Sequence, residues 1–134
     1  VLAGAETLSS ERGMRRGAPP ERPVVIHDSC VYARHEDMLE EPRYLLREAG
    51  VEARDPEYAG KMTFCCGGPI ESLFPSKARA IAEDRVEQLG AVSDRVVTMC
   101  PICLVNLTEA LGKKDMVVAD ISAWLGGGET SWRA

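Results

Sequence analysis

The chain has 134 residues, of which 45% are hydrophobic and 28% charged, and its net charge is −5 with an isoelectric point near 5.1. This length and composition are typical of one globular domain, and the acidic balance argues against a nucleic-acid-binding protein or a protein held on anionic membranes. No apolar run approaches the roughly 20 residues of a membrane span and no signal-peptide pattern opens the chain. The odd number of cysteines, five, favours a reducing compartment, so the expected location is cytoplasmic, either free or peripheral to a membrane complex.

Both ends of the chain are predicted to lie outside the folded domain. Residues 1–22 are small and polar and end close to a Gly-Ala-Pro-Pro run, which is typical of a linker or flexible leader. Residues 126–134 begin with three glycines that neither follow a strand nor open a helix, so they predict a flexible tail. The folded domain is therefore expected over residues 23–125.

The first half of the domain is predicted to form a strand, a helix and a second strand. Residues 24–28 ("VVIHD") have the β-branched apolar character of a buried strand. Residues 41–50 predict a helix, because their apolar residues recur on one face, Pro42 suits the first turn and Gly50 is a typical stop. Residues 51–54 ("VEAR") form a weaker second strand.

The second half repeats the alternation with stronger signals. Residues 75–90 show the clearest helical periodicity of the chain. Residues 94–99 predict a third strand, residues 101–112 a third helix and residues 116–121 a fourth strand. A short helix is expected in the "ISAWL" that follows.

Strands that alternate with helices in this order predict an α/β fold. Such βαβ units form a parallel sheet with helices on both faces, so we expect a small, four-stranded, Rossmann-like three-layer domain. In parallel sheets the carboxyl ends of the strands share one edge, and ligands bind at that edge.

The five cysteines all follow predicted strands. Cys30 comes after the first strand, Cys65 and Cys66 come between the second strand and the second helix, and Cys100 and Cys103 come at the third strand-to-helix connection. We therefore expect all five thiols at the carboxyl edge of the sheet.

Interpretations without a metal account for only part of this pattern. Cysteines are often small buried core residues without a function, but five at one edge of a sheet fit that interpretation poorly. A disulfide between Cys65 and Cys66 would be strained, because adjacent α-carbons are only about 3.8 Å apart. A redox-active C-x-x-C, with Cys100 at a helix N-terminus, remains open as a thiol–disulfide oxidoreductase site but uses two cysteines of five.

Two kinds of metal site are also open. Zinc takes four ligands, usually as two C-x-x-C-like pairs, and here there is one such pair and a fifth cysteine. Adjacent cysteines can reach different irons of a cluster, and thiolates are the usual ligands of iron–sulfur clusters. The residues alone predict a polythiolate metal site and favour iron–sulfur over zinc.

The spacing of the cysteines resembles that of a known family. Thirty-four residues separate Cys30 from Cys65 and 33 separate Cys66 from Cys100, giving C-x34-C-C-G-x32-C-P-x-C. This pattern resembles the cysteine-rich CCG domain of heterodisulfide reductases and of iron–sulfur proteins in anaerobic glycerol-3-phosphate, glycolate and lactate oxidation. The resemblance runs from "HDSC" (27–30) to "CPIC" and "NL" (106–107), and it includes "EEPRYLL".

The resemblance implies a cofactor, partners and an activity. The five cysteines would hold a non-cubane [4Fe–4S] cluster in an oxidoreductase complex. Electrons would pass between a partner subunit that carries flavin or a cubane cluster and a thiol/disulfide or organic-acid couple. The alternative is a zinc-binding structural or assembly domain without a redox role.

The chain departs from the family pattern in two ways, and three residues near the cysteines are expected to support the site. Ser29 stands where the family usually has proline, which would loosen the first ligand loop, and the chain has one copy of a domain that often occurs twice in one polypeptide. Gly67 and Gly68 would let backbone N–H groups approach the sulfurs. His27 would donate a hydrogen bond to a sulfur, orient the loop, or serve as an ordinary structural histidine.

Overall fold

A computed structural model of the chain describes residues 22–125. The predicted tail and, apart from Arg22, the predicted leader lie outside the described residues. Between them the predicted alternation of strands and helices is present.

The four strands are β1 (Val24–Ile26), β2 (Ala53–Arg54), β3 (Arg95–Thr98) and β4 (Val117–Asp120). The four α-helices of the described residues are α1 (Glu40–Glu48), α2 (Pro75–Gly90), α3 (Pro101–Ala110) and α4 (Ile121–Leu125). Three single turns are not evident from the sequence pattern: a π-helical turn (Val31–His35) and two 3₁₀ turns (Gly60–Met62 and Gly68–Ile70). No helix within residues 22–125 combines the length and apolar character of a membrane span.

The strands form one parallel sheet in the order β2-β1-β3-β4, which confirms the predicted α/β fold. Val25 of β1 is in register with Val96 of β3, and Val96 with Val118 of β4. The carboxyl ends of β1 and β3 are therefore neighbours at the centre of the sheet.

Each face of the sheet is covered by two helices and has its own core. Along each strand successive side chains point to opposite faces. Val25, Val96 and Val118 pack with α2 and α3 on one face, where Leu89 and Leu107 are fully buried. The opposite face packs against α1 and α4 through buried Val24, Ile26, Leu46, Val51, Val97, Ala119 and Trp124. The layers are therefore helix, sheet, helix.

Candidate metal centre

The strand-to-helix connections carry all five cysteines. Cys30 precedes the π-helical turn after β1, and Cys65 and Cys66 lie between the two 3₁₀ turns. Cys100 is the residue before α3, and Cys103 lies in the first turn of that helix. Since β1 and β3 are adjacent and parallel, Cys30 and Cys100 follow strands that end at the same edge of the sheet.

The Cys66 thiol is in contact with two others, those of Cys65 and Cys103. Hydrogen bonding with Cys103 raises the pKa of the Cys66 thiol to about 11, with burial adding to the rise and Cys65 acting in the opposite direction. Hydrogen bonding with Cys66, and then burial, raises the pKa of Cys65. Both groups are therefore protonated thiols at neutral pH, and a metal that binds them must displace the protons.

The other two cysteines, Cys30 and Cys100, are linked to these three thiols by the packing of neighbouring residues. Cys100 is partly buried and packs against the core that contains Cys66 and Cys103. Cys30 is also partly buried. Its loop is tied to the segment before Cys65 by Arg34, whose guanidinium donates to the backbone carbonyls of Lys61 and Thr63.

All five cysteines are free thiols. Within residues 22–125 no three histidine, cysteine, aspartate or glutamate side chains are grouped to hold one metal ion. The zinc alternative thus finds no support in the geometry. A cluster of several irons is wider than a single ion, so its ligands need not converge on one point.

Two glycines allow close packing beside the adjacent cysteines. The Gly67 N–H lies 3.3 Å from the Cys65 sulfur, and the Gly68 N–H donates to the Cys66 sulfur. A Cβ on Gly67 would lie 2.4 Å from the backbone oxygen of Ala78, and the φ of Gly67 is +89°. The backbone conformation and the proximity of α2 therefore both require glycine at position 67.

We expect Gly67→Ala to destabilise the domain far more than Gly112→Ala. Both glycines have positive φ, but a Cβ on Gly112 meets nothing within 4 Å, so that change carries only the left-handed penalty of roughly 1–2 kcal/mol. At Gly67 a clash with the backbone of α2 adds to the same penalty. We expect the loss of unfolding free energy to be at least about twice as large as at Gly112. Urea unfolding of the metal-free variants measures both losses. Equal losses would show that the α2 contact does not constrain Gly67.

A buried histidine and a buried arginine meet behind the cysteine loops. The Nε of Arg85 donates to Nδ1 of His27 at 3.0 Å, so the ring hydrogen of His27 is on Nε2. Burial lowers the pKa of His27 to about 3, with Arg85 adding to the decrease and Asp28 opposing it. His27 is thus neutral at physiological pH. Its Nε2 is buried and has no hydrogen-bond partner among the described residues.

A buried ion pair fixes the loop that leads to Cys30. The Asp28 carboxylate accepts two hydrogen bonds from Arg43, at 3.0 and 2.7 Å, and a third from the Gly60 N–H at 2.7 Å. Its backbone carbonyl accepts from the Thr63 hydroxyl at 2.8 Å. The segment 60–63 is therefore held against the end of β1. The side chain of the next residue, Ser29, is also buried and its hydroxyl has no partner in residues 22–125.

Sequence reasoning missed Arg43 and Arg85 as parts of this site. A signal for Arg85 was present, because Ala78, Ala82, Arg85 and Leu89 recur at helical spacing and all four are buried on α2. A charged residue within an apolar stripe indicates a buried cation. The corresponding signal for Arg43 is absent, since a helix start commonly carries exposed charges.

The family model of the cysteine-rich domain CCG matches residues 24–108, a range that includes all five cysteines. Among curated proteins, the chain is 34% identical over 104 residues to a component of the dihydromethanophenazine:CoB–CoM heterodisulfide reductase of Methanosarcina mazei, an alignment covering 73% of this chain and 25% of that protein. It is 29% identical over 120 residues to a component of the fumarate reductase (CoM/CoB) of Methanothermobacter marburgensis, covering 87% of this chain and 24% of that protein.

A third relative, the EtfAB:quinone oxidoreductase of Syntrophomonas wolfei, is 26% identical over 114 residues, with 78% of this chain and 16% of that protein covered. The chain spans a quarter or less of these three relatives. No solved structure matches it.

Proposed function

The chain belongs to the CCG family of cysteine-rich domains, and from this membership we propose that it is an iron–sulfur domain of an oxidoreductase complex. The observation that carries the proposal is the placement of five free cysteines at neighbouring strand-to-helix connections, three of them in contact. Thiolates are the ligands that iron–sulfur clusters require.

The surroundings of the cysteines suit a thiolate-bound cluster. The N–H groups of Gly67 and Gly68 and the amide of Asn106, which lies 4.0 Å from the Cys66 sulfur, are hydrogen-bond donors to sulfur. The Nε2–H of His27 and the hydroxyl of Ser29, both without a partner in the described residues, add two buried polar groups in the segment that ends at Cys30. Such donors stabilise negative charge on cluster sulfurs and tune the reduction potential.

We assign the ligand role to Cys30, Cys65, Cys66, Cys100 and Cys103, and the cofactor to a non-cubane [4Fe–4S] cluster. The bound cluster would supply one-electron storage. The chain itself buries Cys66 and Cys103 in the core shared by the sheet, α2 and α3, while Cys30, Cys65 and Cys100 stay partly exposed. Two of the ligands would thus be shielded from water, while the other three would be accessible to a partner or substrate.

Exposed apolar side chains lie in the same chain segments as the cysteines, and we call this set the apolar rim. It consists of Val31, Met62, Phe64, Leu73, Phe74 and Ile102. Apolar side chains exposed beside a functional centre indicate an interaction surface. We propose that redox subunits or domains carrying flavin or a cubane cluster, or a second CCG domain, cover this rim.

By analogy with the names of its relatives, the electrons would pass to or from a thiol/disulfide or organic-acid couple. The heterodisulfide reductase and the fumarate reductase among the relatives represent these two substrate classes. Five free cysteines suit a reducing compartment, so we also propose a cytoplasmic location, either free or peripheral to a membrane complex.

Anaerobic reconstitution tests the proposal directly. Purified protein incubated with ferrous and ferric iron and sulfide should become brown and retain about four irons and four sulfides per chain, because five thiolates can hold a [4Fe–4S] unit. Iron, sulfide and zinc analysis after desalting measures the outcome. A colourless protein that retains stoichiometric zinc in a parallel incubation and no sulfide would replace the proposal with the structural zinc alternative.

A further inference from the structure

Arg85 is a fully buried cation in the middle of the domain. Its side chain has 0% exposure and lies on α2, on the face that packs against the sheet. Its N–H groups make four hydrogen bonds, to His27 Nδ1, the Glu57 carbonyl, the Gln88 side-chain oxygen and the Thr63 hydroxyl. All four acceptors are neutral, because burial keeps His27 in its uncharged form. Within residues 22–125, therefore, none of these bonds joins Arg85 to a carboxylate.

The buried charges near Arg85 do not balance within the described part of the chain. Asp28 is the nearby buried carboxylate, and both of its oxygens are already bonded to Arg43. Arg43 also bonds Asp55, but the Asp55 side chain is 59% exposed and its charge is largely screened by water. Two guanidinium groups thus share one buried carboxylate, which leaves a surplus of one positive charge. A buried charge without a counter-ion is unfavourable.

The surplus charge lies beside the cysteines. Ala82 and Val86, which flank Arg85 on α2, pack in the same core as Cys66 and Cys103. Arg85 also touches two of the three cysteine-bearing connections, through His27 before Cys30 and through Thr63 before Cys65. The guanidinium is therefore placed where negative charge arises once the thiols release their protons to a metal.

We propose that Arg85 is the buried counter-cation of the cysteine site, balancing the negative charge that the thiolates carry when they hold a metal cluster. The inference rests on the proposed function for the identity of that cluster. Arg85 acts as a positioning and charge-balancing residue without ligating the metal. Because its charge favours the form with one more electron, it raises the reduction potential of the bound cluster.

Three variants separate the charge of Arg85 from its role in packing. Arg85→Lys keeps the positive charge and most of the side-chain volume. Arg85→Met keeps most of the side-chain volume and removes the charge. Arg79→Met is the matched control, because Arg79 lies on the same helix, is about half exposed and pairs with Glu83 four residues on. It makes the same change in net charge at the surface, where water screens it.

The first measurement is a dithionite titration of each reconstituted protein, followed by electron paramagnetic resonance. Arg85→Met should shift the reduction equilibrium about tenfold toward the oxidised form, which is about 59 mV for a one-electron couple. Arg85→Lys should shift it less, and Arg79→Met should leave it unchanged. A midpoint potential equal to wild type in Arg85→Met, or an equal shift in Arg79→Met, would overturn the inference.

The second measurement uses metal-free protein and does not depend on the cluster. If the charge of Arg85 has no counter-ion in the metal-free fold, the coupling free energy between Arg85→Met and Asp28→Asn should be clearly smaller than that between Arg43→Met and Asp28→Asn. Urea unfolding of the single and double variants gives both values. Equal coupling free energies would mean that Asp28 already balances Arg85, and the inference would be wrong. The proposed function is tested separately, by whether reconstituted wild-type protein retains iron.

Discussion

Cys66→Ser is expected to abolish retention of iron and sulfide after anaerobic reconstitution. Cys66 is buried and its thiol contacts both Cys65 and Cys103, so it links the adjacent pair to the C-x-x-C pair. A cluster that uses all five thiolates has no spare ligand, and a serine hydroxyl is a poor ligand for iron in such clusters. Iron and sulfide analysis of the desalted protein, with absorbance spectra, measures the loss.

The same substitution discriminates between the cluster and a zinc site. Tetrahedral zinc needs four of the five cysteines, so at least one of the five Cys→Ser variants would keep full metal content. Serine is nearly isosteric with cysteine, and unchanged far-ultraviolet circular dichroism would show that the fold has survived. Full iron and sulfide in Cys66→Ser would contradict the assignment of five ligands.

Arg43→Met is expected to destabilise the metal-free domain by about 3–5 kcal/mol, the usual loss when one partner of a buried ion pair is removed. Asp28 is 1% exposed, and Arg43 supplies two of the three hydrogen bonds to its carboxylate. Without Arg43 the carboxylate stays buried with only the Gly60 N–H as partner among the residues described. Urea unfolding followed by circular dichroism measures the change.

Arg54→Met is the control for that experiment. Arg54 pairs with Glu52, both side chains are more than half exposed, and such pairs contribute about 0–1 kcal/mol. If Arg43→Met lost no more than Arg54→Met, the Asp28 carboxylate would have to find water or another donor in the variant. The ion pair would then not be what anchors the loop before Cys30.

The secondary structure is predictable where local periodicity is strong. The pattern predicts a helix over residues 75–90 and α2 has the same bounds, because an apolar stripe, Pro75 and Gly90 agree there. Each strand is one or two residues shorter than predicted at one end or at both. The π-helical turn after Cys30 is too short for a periodic signal in the sequence. In the structure the Glu36 N–H donates to the Val31 carbonyl at its end.

The candidate site is predictable in its residues and only partly in its contacts. Chain order places the cysteines after strands. Because parallel strands bring their carboxyl ends to one edge of the sheet, the cysteines are expected at that edge. Which thiols touch is not predictable: Cys66 meets Cys103 across 36 intervening residues, and that contact depends on how α2 and α3 pack over the sheet. The role of Gly67 beside α2 depends on the same packing.

The sequence by itself determined the α/β alternation, the edge that carries the cysteines and membership of the CCG family. These follow from local patterns and fixed spacings along the chain. The tertiary structure alone decided the charge arrangement behind the site, where Asp28 takes Arg43 as its partner and Arg85 remains with neutral acceptors. The physical reason is that ion pairing and desolvation depend on distance and burial in space. Arg43 and Asp28 are 15 positions apart and Arg85 and His27 are 58 apart, so the sequence shows neither their distance nor their burial.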